Sequence, residues 1–223
     1  MKRHKSIFLS DIHLGSRHCK SKKLFKELEE IEAENLFLLG DIVSQNAKAD
    51  DKDILKFIKL IHSRDWNIIY ILGNHEKERN EKIKILDKTY SEYIYFNGNE
   101  RIYLSHGDRF HNKDIFNRLL KYILTKVKKK AQKIEDKKSS IDASGIYHKT
   151  IKPIARKYLR NSYINYITKE AKKRGCQKAI CGHIHLPEMI NHKTITYLNC
   201  GDWVNHSSYI IEDFNGKFKL ITL

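Results

Sequence analysis

Five short polar clusters, each directly behind a short apolar run, constrain this chain more than any other feature. Asp11 and His13 follow Ile7–Ser10, Gly40-Asp41 follows Leu36–Leu39, and Gly73-Asn74-His75-Glu76 follows Ile68–Leu72. Ser105-His106-Gly107-Asp108 follows Ile102–Leu104, and Gly182-His183-Ile184-His185 follows Ala179–Cys181. The apolar runs have the length and content of buried strands. Between the first three, Leu24, Phe25, Leu28 and Ile31 recur at helical spacing, and so do Ile54, Leu55, Ile58 and Ile61. Strand alternating with helix is the signature of an α/β fold with a largely parallel sheet. Ligands of such sheets collect beyond the carboxyl ends of the strands. Taken singly, an Asp or Asn behind a strand is a turn residue or a helix cap, and a lone His packs or faces solvent. Five such clusters at five strand ends predict one shared site.

Further along, Tyr93–Phe96 and Ile102–Ser105 flank Asn97-Gly98-Asn99, a hairpin signal. Strands resume at Ala179–Cys181, Thr194–Asn199, Tyr209–Glu212 and Phe218–Thr222. A chain of 223 residues suits one domain, 1–223, with a full core. The start, MKRHKSIFLSDIHLG, is basic and then apolar, but Asp11 and His13 interrupt it, so it does not read as a signal peptide. No apolar run approaches the roughly 18 residues of a membrane span. Cys19, Cys176, Cys181 and Cys200 form no CxxC pair and read as reduced thiols of a cytoplasmic protein.

The charge is concentrated in one place. The net charge is +16, from 43 Lys and Arg against 27 Asp and Glu, and residues 111–174 alone hold 19 basic and 5 acidic side chains. This stretch carries Ile115, Phe116, Leu119, Leu120, Ile123 and Val127 as one amphipathic stripe, and a second helical segment from about Ile154 to Arg174. Residues 112–174 therefore read as a basic helical insertion, or cap, placed between strands. A block of this kind is either a solvated helical face or the seat of an anionic partner: a phosphorylated substrate, an acidic lipid surface or nucleic acid.

The clusters offer carboxylates, imidazoles and one amide oxygen, with no thiolate. That donor set suits Mn²⁺, Fe²⁺, Zn²⁺ or a similar ion. Seven candidate ligands, Asp11, His13, Asp41, Asn74, His106, His183 and His185, are too many for one ion that keeps a position open. They are right for two ions sharing a carboxylate, roughly 3.5–4 Å apart, which clamp both oxygens of an in-line phosphoryl displacement.

In type and order these clusters resemble the motif set of the calcineurin-like metallophosphoesterases. The resemblance implies a four-layer αββα sandwich and a dinuclear centre on its rim, with Mn²⁺ the expected metal and Fe²⁺ or Zn²⁺ the alternatives. It places Asp11, His13, Asp41 and His185 on the first ion, and Asn74, His106 and His183 on the second, with Asp41 bridging. It makes His75 the general acid, or a cation that stabilises charge on the phosphate. A narrower likeness lies in LSDIHLGS, His106-Gly107-Asp108, the helical insertion and Asn199-Cys200-Gly201-Asp202-Trp203. These are similar to the UDP-2,3-diacylglucosamine hydrolase group, which cleaves a nucleotide-sugar lipid pyrophosphate of the lipid A pathway at the inner membrane surface. That likeness implies substrate contacts at Asn74, His75 and Asp114, and a cytoplasmic protein peripheral to the inner membrane.

Two other readings compete. In a nuclease of the same fold, the basic insertion would track a phosphate backbone, with Tyr147, Tyr158, Tyr163 and Tyr166 stacking on bases rather than packing between helices. A binding scaffold that had lost catalysis would show gaps in the ligand set, and the sequence shows none. His18-Cys19 reads as a loop pair, Trp203 as packing beneath the site, and His111, His148, His192 and His206 have no spacing argument.

Overall fold

Each apolar run is the buried end of a longer strand. In the computed structural model, which describes residues 1–77, 83–111, 122, 124–130, 133 and 152–223, the order is β1 (Lys2–Leu9), α1 (Ser21–Glu29), β2 (Ile31–Leu39), α2 (Lys52–His62), β3 (Asn67–Ile71), α3 (Asn74–Lys77), β4 (Glu92–Asn97), β5 (Glu100–Ser105) and α4 (Asp108–His111). Then come α5 (Lys152–Lys173), β6 (Lys178–Cys181), β7 (Glu188–His192), β8 (Ile195–Asn199), β9 (Ser208–Glu212) and β10 (Phe218–Thr222). The first half of β1 is polar and at most partly buried, and in β2 only Ile31 of the first five residues is buried, so the sequence showed their carboxyl halves alone.

Two expectations are corrected. Ile31 does not belong to the stripe of α1: the helix ends at Glu29, and Ile31 opens β2 opposite Lys2. Its spacing from Leu28 mimics a helical repeat because both side chains reach the same core. In α2 the buried stripe is Ile54, Phe57 and Ile61, while Leu55 is 52% exposed. Asp51 caps that helix, accepting from the backbone N–H groups of Asp53 (3.0 Å) and Ile54 (3.3 Å).

The strands form two mixed five-stranded sheets rather than one largely parallel sheet, in the orders β10-β9-β1-β2-β3 and β4-β5-β6-β8-β7. Within each, three strands run parallel: β1, β2 and β3 in the first, β5, β6 and β8 in the second. Their carboxyl ends carry the clusters. Side chains alternate across each strand, so Phe8, Phe37, Leu39, Ile69 and Ile71 share one core with Ile102, Leu104, Ile180 and Leu198 of the other sheet. Ile7, Leu9, Leu36 and Leu38 point the other way and pack with Leu24, Leu28, Ile54 and Phe57 of α1 and α2. On the second sheet Tyr103 is fully buried and carries the Arg174 guanidinium 5.0 Å from its ring centre, just beyond α5. The result is helix, sheet, sheet, helix: the four-layer α/β sandwich of metallophosphoesterases.

A buried polar cluster crosses the sandwich at Glu212. The buried Glu212 of β9 accepts from Ser6 Oγ (2.6 Å) and from Tyr95 Oη of β4 (2.8 Å), with Lys5 Nζ at 3.2 Å. The described residues make two compact units, Met1–Asp108 with Thr168–Leu223, and Arg109–Ile167. In the second unit residues 124–130 are helical, and Phe110, Tyr163, Ile164 and Ile167 are buried, while Ile154 and Tyr158 are 68% and 44% exposed. Asp114, Ile115, Phe116, Leu119, Leu120, Ile123, Tyr147 and His148 lie outside the described residues. Among the described residues no helix is long and apolar enough to cross a membrane.

Phe8 stacks on Phe37 at 4.7 Å in the centre of the sandwich. Phe8→Ala is expected to cost about 3–5 kcal/mol in urea unfolding. Leu55→Ala, on the exposed side of α2, should cost less than about 0.5 kcal/mol.

Candidate metal centre

Behind the parallel strands the buried chain turns polar, at Ser10-Asp11, Asp41 and His106, and the loops converge. Backbone hydrogen bonds tie the loops together: Asp11 N–H donates to Gly40 O (3.0 Å), His13 N–H to Asp41 O (3.0 Å) and Gly182 N–H to His106 O (3.1 Å). Three groups of potential ligands result, Asp11 with His13 and His185, Asp41 with His106 and His183, and His13 with Asp41 and His75; in each, the ligand atoms lie within 4.8 Å of one another. Asp41 thus belongs to a group on either side.

The backbone is bent to make this possible. Asp11 (φ +52°), His13 (+56°), Asp41 (+53°), His183 (+68°) and His185 (+53°) all occupy the left-handed region. L-residues avoid that region at about 1 kcal/mol or more apiece, and strain of this kind gathers at functional sites.

Each carboxylate is held by one oxygen and presents the other. Asp11 Oδ2 accepts from Ser10 Oγ (2.6 Å) and from the His183 N–H (2.7 Å). Its Oδ1 is buried without a hydrogen-bond partner, 3.2 Å from His185 Nε2, which is itself 3.3 Å from His13 Nε2. Asp41 Oδ1 accepts from the His75 N–H (2.9 Å), while Oδ2 faces His106 Nε2 at 3.4 Å. His106 Nδ1 donates to the Leu39 carbonyl (2.8 Å), which fixes the ring and leaves Nε2 turned inward, buried and unpartnered. Asn74 Oδ1 is also buried without a partner. Unpaired buried acceptors cost free energy, and a cation is the species that satisfies a carboxylate, an amide oxygen and imidazole lone pairs together. The donors present therefore fit a divalent metal.

The site's electrostatics agree. Burial would raise the Asp11 carboxyl, but the His185 and His106 imidazoles and the Ser10 hydroxyl hold it well below the usual range. Asp41 is likewise lowered, against its burial, chiefly by His106. Burial opposes charge on His106, yet Asp41, Asp11 and the Leu39 carbonyl lift its pKa to about 9. Both carboxylates are thus ionised at neutral pH, in a pocket that attracts positive charge.

His75 stands on α3 with its Nε2 3.8 Å from Asp41 Oδ2 and its ring centre 4.6 Å from that of His13. Its Nδ1 accepts from the Gln45 N–H (3.1 Å), so the proton of the neutral ring is carried on Nε2. Trp203 is fully buried, stacks on Tyr209 and donates its backbone N–H to Asp11 O (3.1 Å).

Sequence reasoning gave no role to Ser10, to Glu76 or to Asp202. Glu76 Oε2 accepts from the backbone N–H groups of Asp41 (2.8 Å) and Gly73 (2.9 Å), and Oε1 from that of Val43 (3.1 Å). It clamps the loop behind β2 to the loop behind β3. A carboxylate so close behind the Asn-His pair was its only signal. Glycines let the loops approach: a Cβ on Gly182 would run into Ser10 Oγ and Asp11 Oδ2, and one on Gly73 into Asp41.

The chain belongs to the calcineurin-like phosphoesterase family, whose sequence model matches residues 4–187. Solved structures with this fold include a single mutant of Vps29 from Entamoeba histolytica, at TM-score 0.55 and 10% identity over 98% of each chain. Vps29 from Chaetomium thermophilum has a TM-score of 0.53 at 10% identity, over 98% of this chain and 95% of that one. An archaeal phosphodiesterase has 0.50 at 16% identity, over 98% of this chain and 99% of that one. No curated protein sequence matches the chain.

Glu76→Gln keeps the side-chain shape and removes one acceptor oxygen. It should destabilise the protein by about 1.5–3 kcal/mol, as a lost hydrogen bond to a charged group does, and lower metal retained on dialysis. Wild-type unfolding and metal content would show that Glu76 clamps nothing.

Proposed function

We propose that this protein is a dinuclear, metal-dependent hydrolase of a phosphodiester or pyrophosphate bond. The observation that carries the reading is the set of buried polar atoms with no hydrogen-bond partner, the acceptors Asp11 Oδ1 and Asn74 Oδ1 and the His106 Nε2, whose lone pair a cation would take in place of a proton. Asp11, His13, Asp41 and His185 would hold one ion, and Asn74, His106, His183 and the shared Asp41 the other, with Mn²⁺ favoured over Fe²⁺ or Zn²⁺. Such ions supply Lewis acidity and a template for in-line displacement. The chain's own contribution is to fix the ligand carboxylates by one oxygen each and to aim the Nε2–H of His75 at the centre. From there a protonated His75, with Nδ1 released from the Gln45 N–H, would give its Nε2 proton to the leaving oxygen as general acid, or the ring would stabilise charge on the phosphate through Nε2–H, and Asn74 with His75 meets the phosphate.

The substrate class follows from the narrower resemblance and from charge. LSDIHLGS, His106-Gly107-Asp108 and Asn199–Trp203 support UDP-2,3-diacylglucosamine or a related nucleotide-lipid, with Asp114 as a further contact. Lys128, Lys129, Lys130, Arg156 and Lys157 are exposed, and each basic residue near an anionic bilayer contributes about 1 kcal/mol of attraction. The same charge, beside the partly exposed Tyr158, supports the second reading, a nuclease. A binding scaffold gains support from the neighbours named for vacuolar protein sorting, but the ligand set here has no gap.

The deciding experiment is turnover of UDP-2,3-diacylglucosamine with Mn²⁺, beside a single-stranded oligonucleotide at matched salt. Release of UMP with the oligonucleotide intact is expected; cleavage of the oligonucleotide alone would establish the nuclease. Asp41→Ala should abolish turnover and Mn²⁺ loading together. His75→Ala should keep Mn²⁺ and slow turnover by about 10²–10⁴-fold, and loss of the metal in that variant would remove His75 from the acid role.

A further inference from the structure

We infer that Asp202 is a positioning residue for the centre: its buried carboxylate holds the His185 imidazole in the tautomer that turns a lone pair inward. The inference rests on the metal reading proposed above. β8 pairs parallel with β6, Asn199 lying opposite Cys181, so the loop behind β8 emerges beside the one that carries His183 and His185. That topology brings Asp202, 17 residues beyond His185, back to it.

The two oxygens of Asp202 have different duties. Oδ1 accepts from the backbone N–H groups of Val204 (2.8 Å), Asn205 and His206 (3.4 Å), and so holds its own loop. Oδ2 lies between two imidazoles, 2.6 Å from His206 Nδ1 and 3.7 Å from His185 Nδ1. The side chain is fully buried, whereas His206 is 37% exposed and forms the outer end of the chain. His185 therefore has a carboxylate on its Nδ1 side and the centre on its Nε2 side, where Asp11 Oδ1 and His13 Nε2 lie.

A neutral imidazole has one N–H. With a cation taking Asp11 Oδ1, which lies 3.2 Å from Nε2, Asp202 Oδ2 at 3.7 Å from Nδ1 is the carboxylate left to draw that proton to Nδ1, and Nε2 keeps the lone pair a metal needs. The negative charge behind the ring also makes Nε2 a stronger donor. Carboxylates hydrogen-bonded to a ligand histidine are worth about 10–100-fold in metal affinity; at 3.7 Å Asp202 acts through its charge, and closes to a hydrogen bond when the ring settles on a cation.

Asp202→Asn separates the two duties. Its carbonyl oxygen can still accept the loop's N–H groups, but its NH₂ would face His185 Nδ1 and favour the inverse tautomer, with the proton on Nε2. In a calorimetric titration of the full chain with Mn²⁺, the dissociation constant should rise about 10–100-fold. The thermal midpoint of the metal-free variant should stay within about 3 °C of wild type. Unchanged Mn²⁺ affinity would overturn the inference and leave the metal reading standing. So would a loss of affinity matched by a large fall in the metal-free midpoint, which would make Asp202 a loop staple. If the wild-type chain itself takes up no Mn²⁺, both readings fall. A second measurement does not depend on the variant folding. Nitrogen NMR of the wild type loaded with diamagnetic Zn²⁺ should show the His185 proton on Nδ1; a proton on Nε2 would overturn the assignment.

Discussion

Burying the Asp11 carboxylate is the constraint around which the molecule is arranged. A charge taken out of water costs several kcal/mol unless it is met by donors or a counter-ion. Here Ser10 Oγ, from the same strand end, and the His183 N–H, from the opposite sheet, meet one oxygen. The other is left to face His13 and His185. The hydrogen bond to His183 crosses the sandwich at its rim. It closes because Gly182 has no side chain to collide with Ser10 and Asp11. The aromatic core of Phe8 and Phe37 sets how far apart the sheets lie, and Asp11 sets where their ends meet.

The centre is correspondingly strained. Five of its candidate ligands have left-handed backbone, and three buried polar atoms, Asp11 Oδ1, Asn74 Oδ1 and His106 Nε2, have no protein partner. Neither feature helps the fold, so the surroundings must over-determine both. Glu76 does part of this by gathering three backbone N–H groups from the loops behind β2 and β3. The Leu39 carbonyl does another part by fixing His106. The strain makes functional sense: in Asp11-x-His13 and His183-x-His185, left-handed residues on both sides of one intervening residue bend the chain tightly at the strand end. An ordinary extended backbone would also set residues i and i+2 on one face, but would carry the chain straight on past the strand end instead of turning it back over the site.

The legible part of the sequence was the part with a period or a sharp boundary. Apolar runs ending at Asp, Asn or His marked the parallel strands and, with them, the candidate ligands that the fold brings together. Ile31 and Leu55 show the limit of that method, since spacing alone cannot tell which of two buried neighbours belongs to which element. β7 went unseen because Glu188–His192 alternates between half-buried and exposed residues, with no buried run to announce it. The division into two sheets was illegible locally, because a strand's partner depends on long-range register; only the family likeness implied it. Ser10, Glu76 and Asp202 were missed for a related reason. They act on backbone groups and on other side chains, and the sequence does not show where those lie.

The distribution of ligands between the sheets has a consequence for how site and fold depend on each other. Asp11, His13, Asp41 and Asn74 come from the loops of the first sheet, and His106, His183 and His185 from those of the second. Neither sheet alone assembles the group of Asp11, His13 and His185, or that of Asp41, His106 and His183. A cation in either group would therefore join the two halves of the sandwich at the rim, where Asp11 and His183 already touch. Ligand binding to the native state alone stabilises that state by mass action, and a metal held across both sheets would favour the closed sandwich over any state in which the sheets part. The same geometry makes the site sensitive to the whole core, because a shift of one sheet against the other separates its ligands before it breaks either sheet.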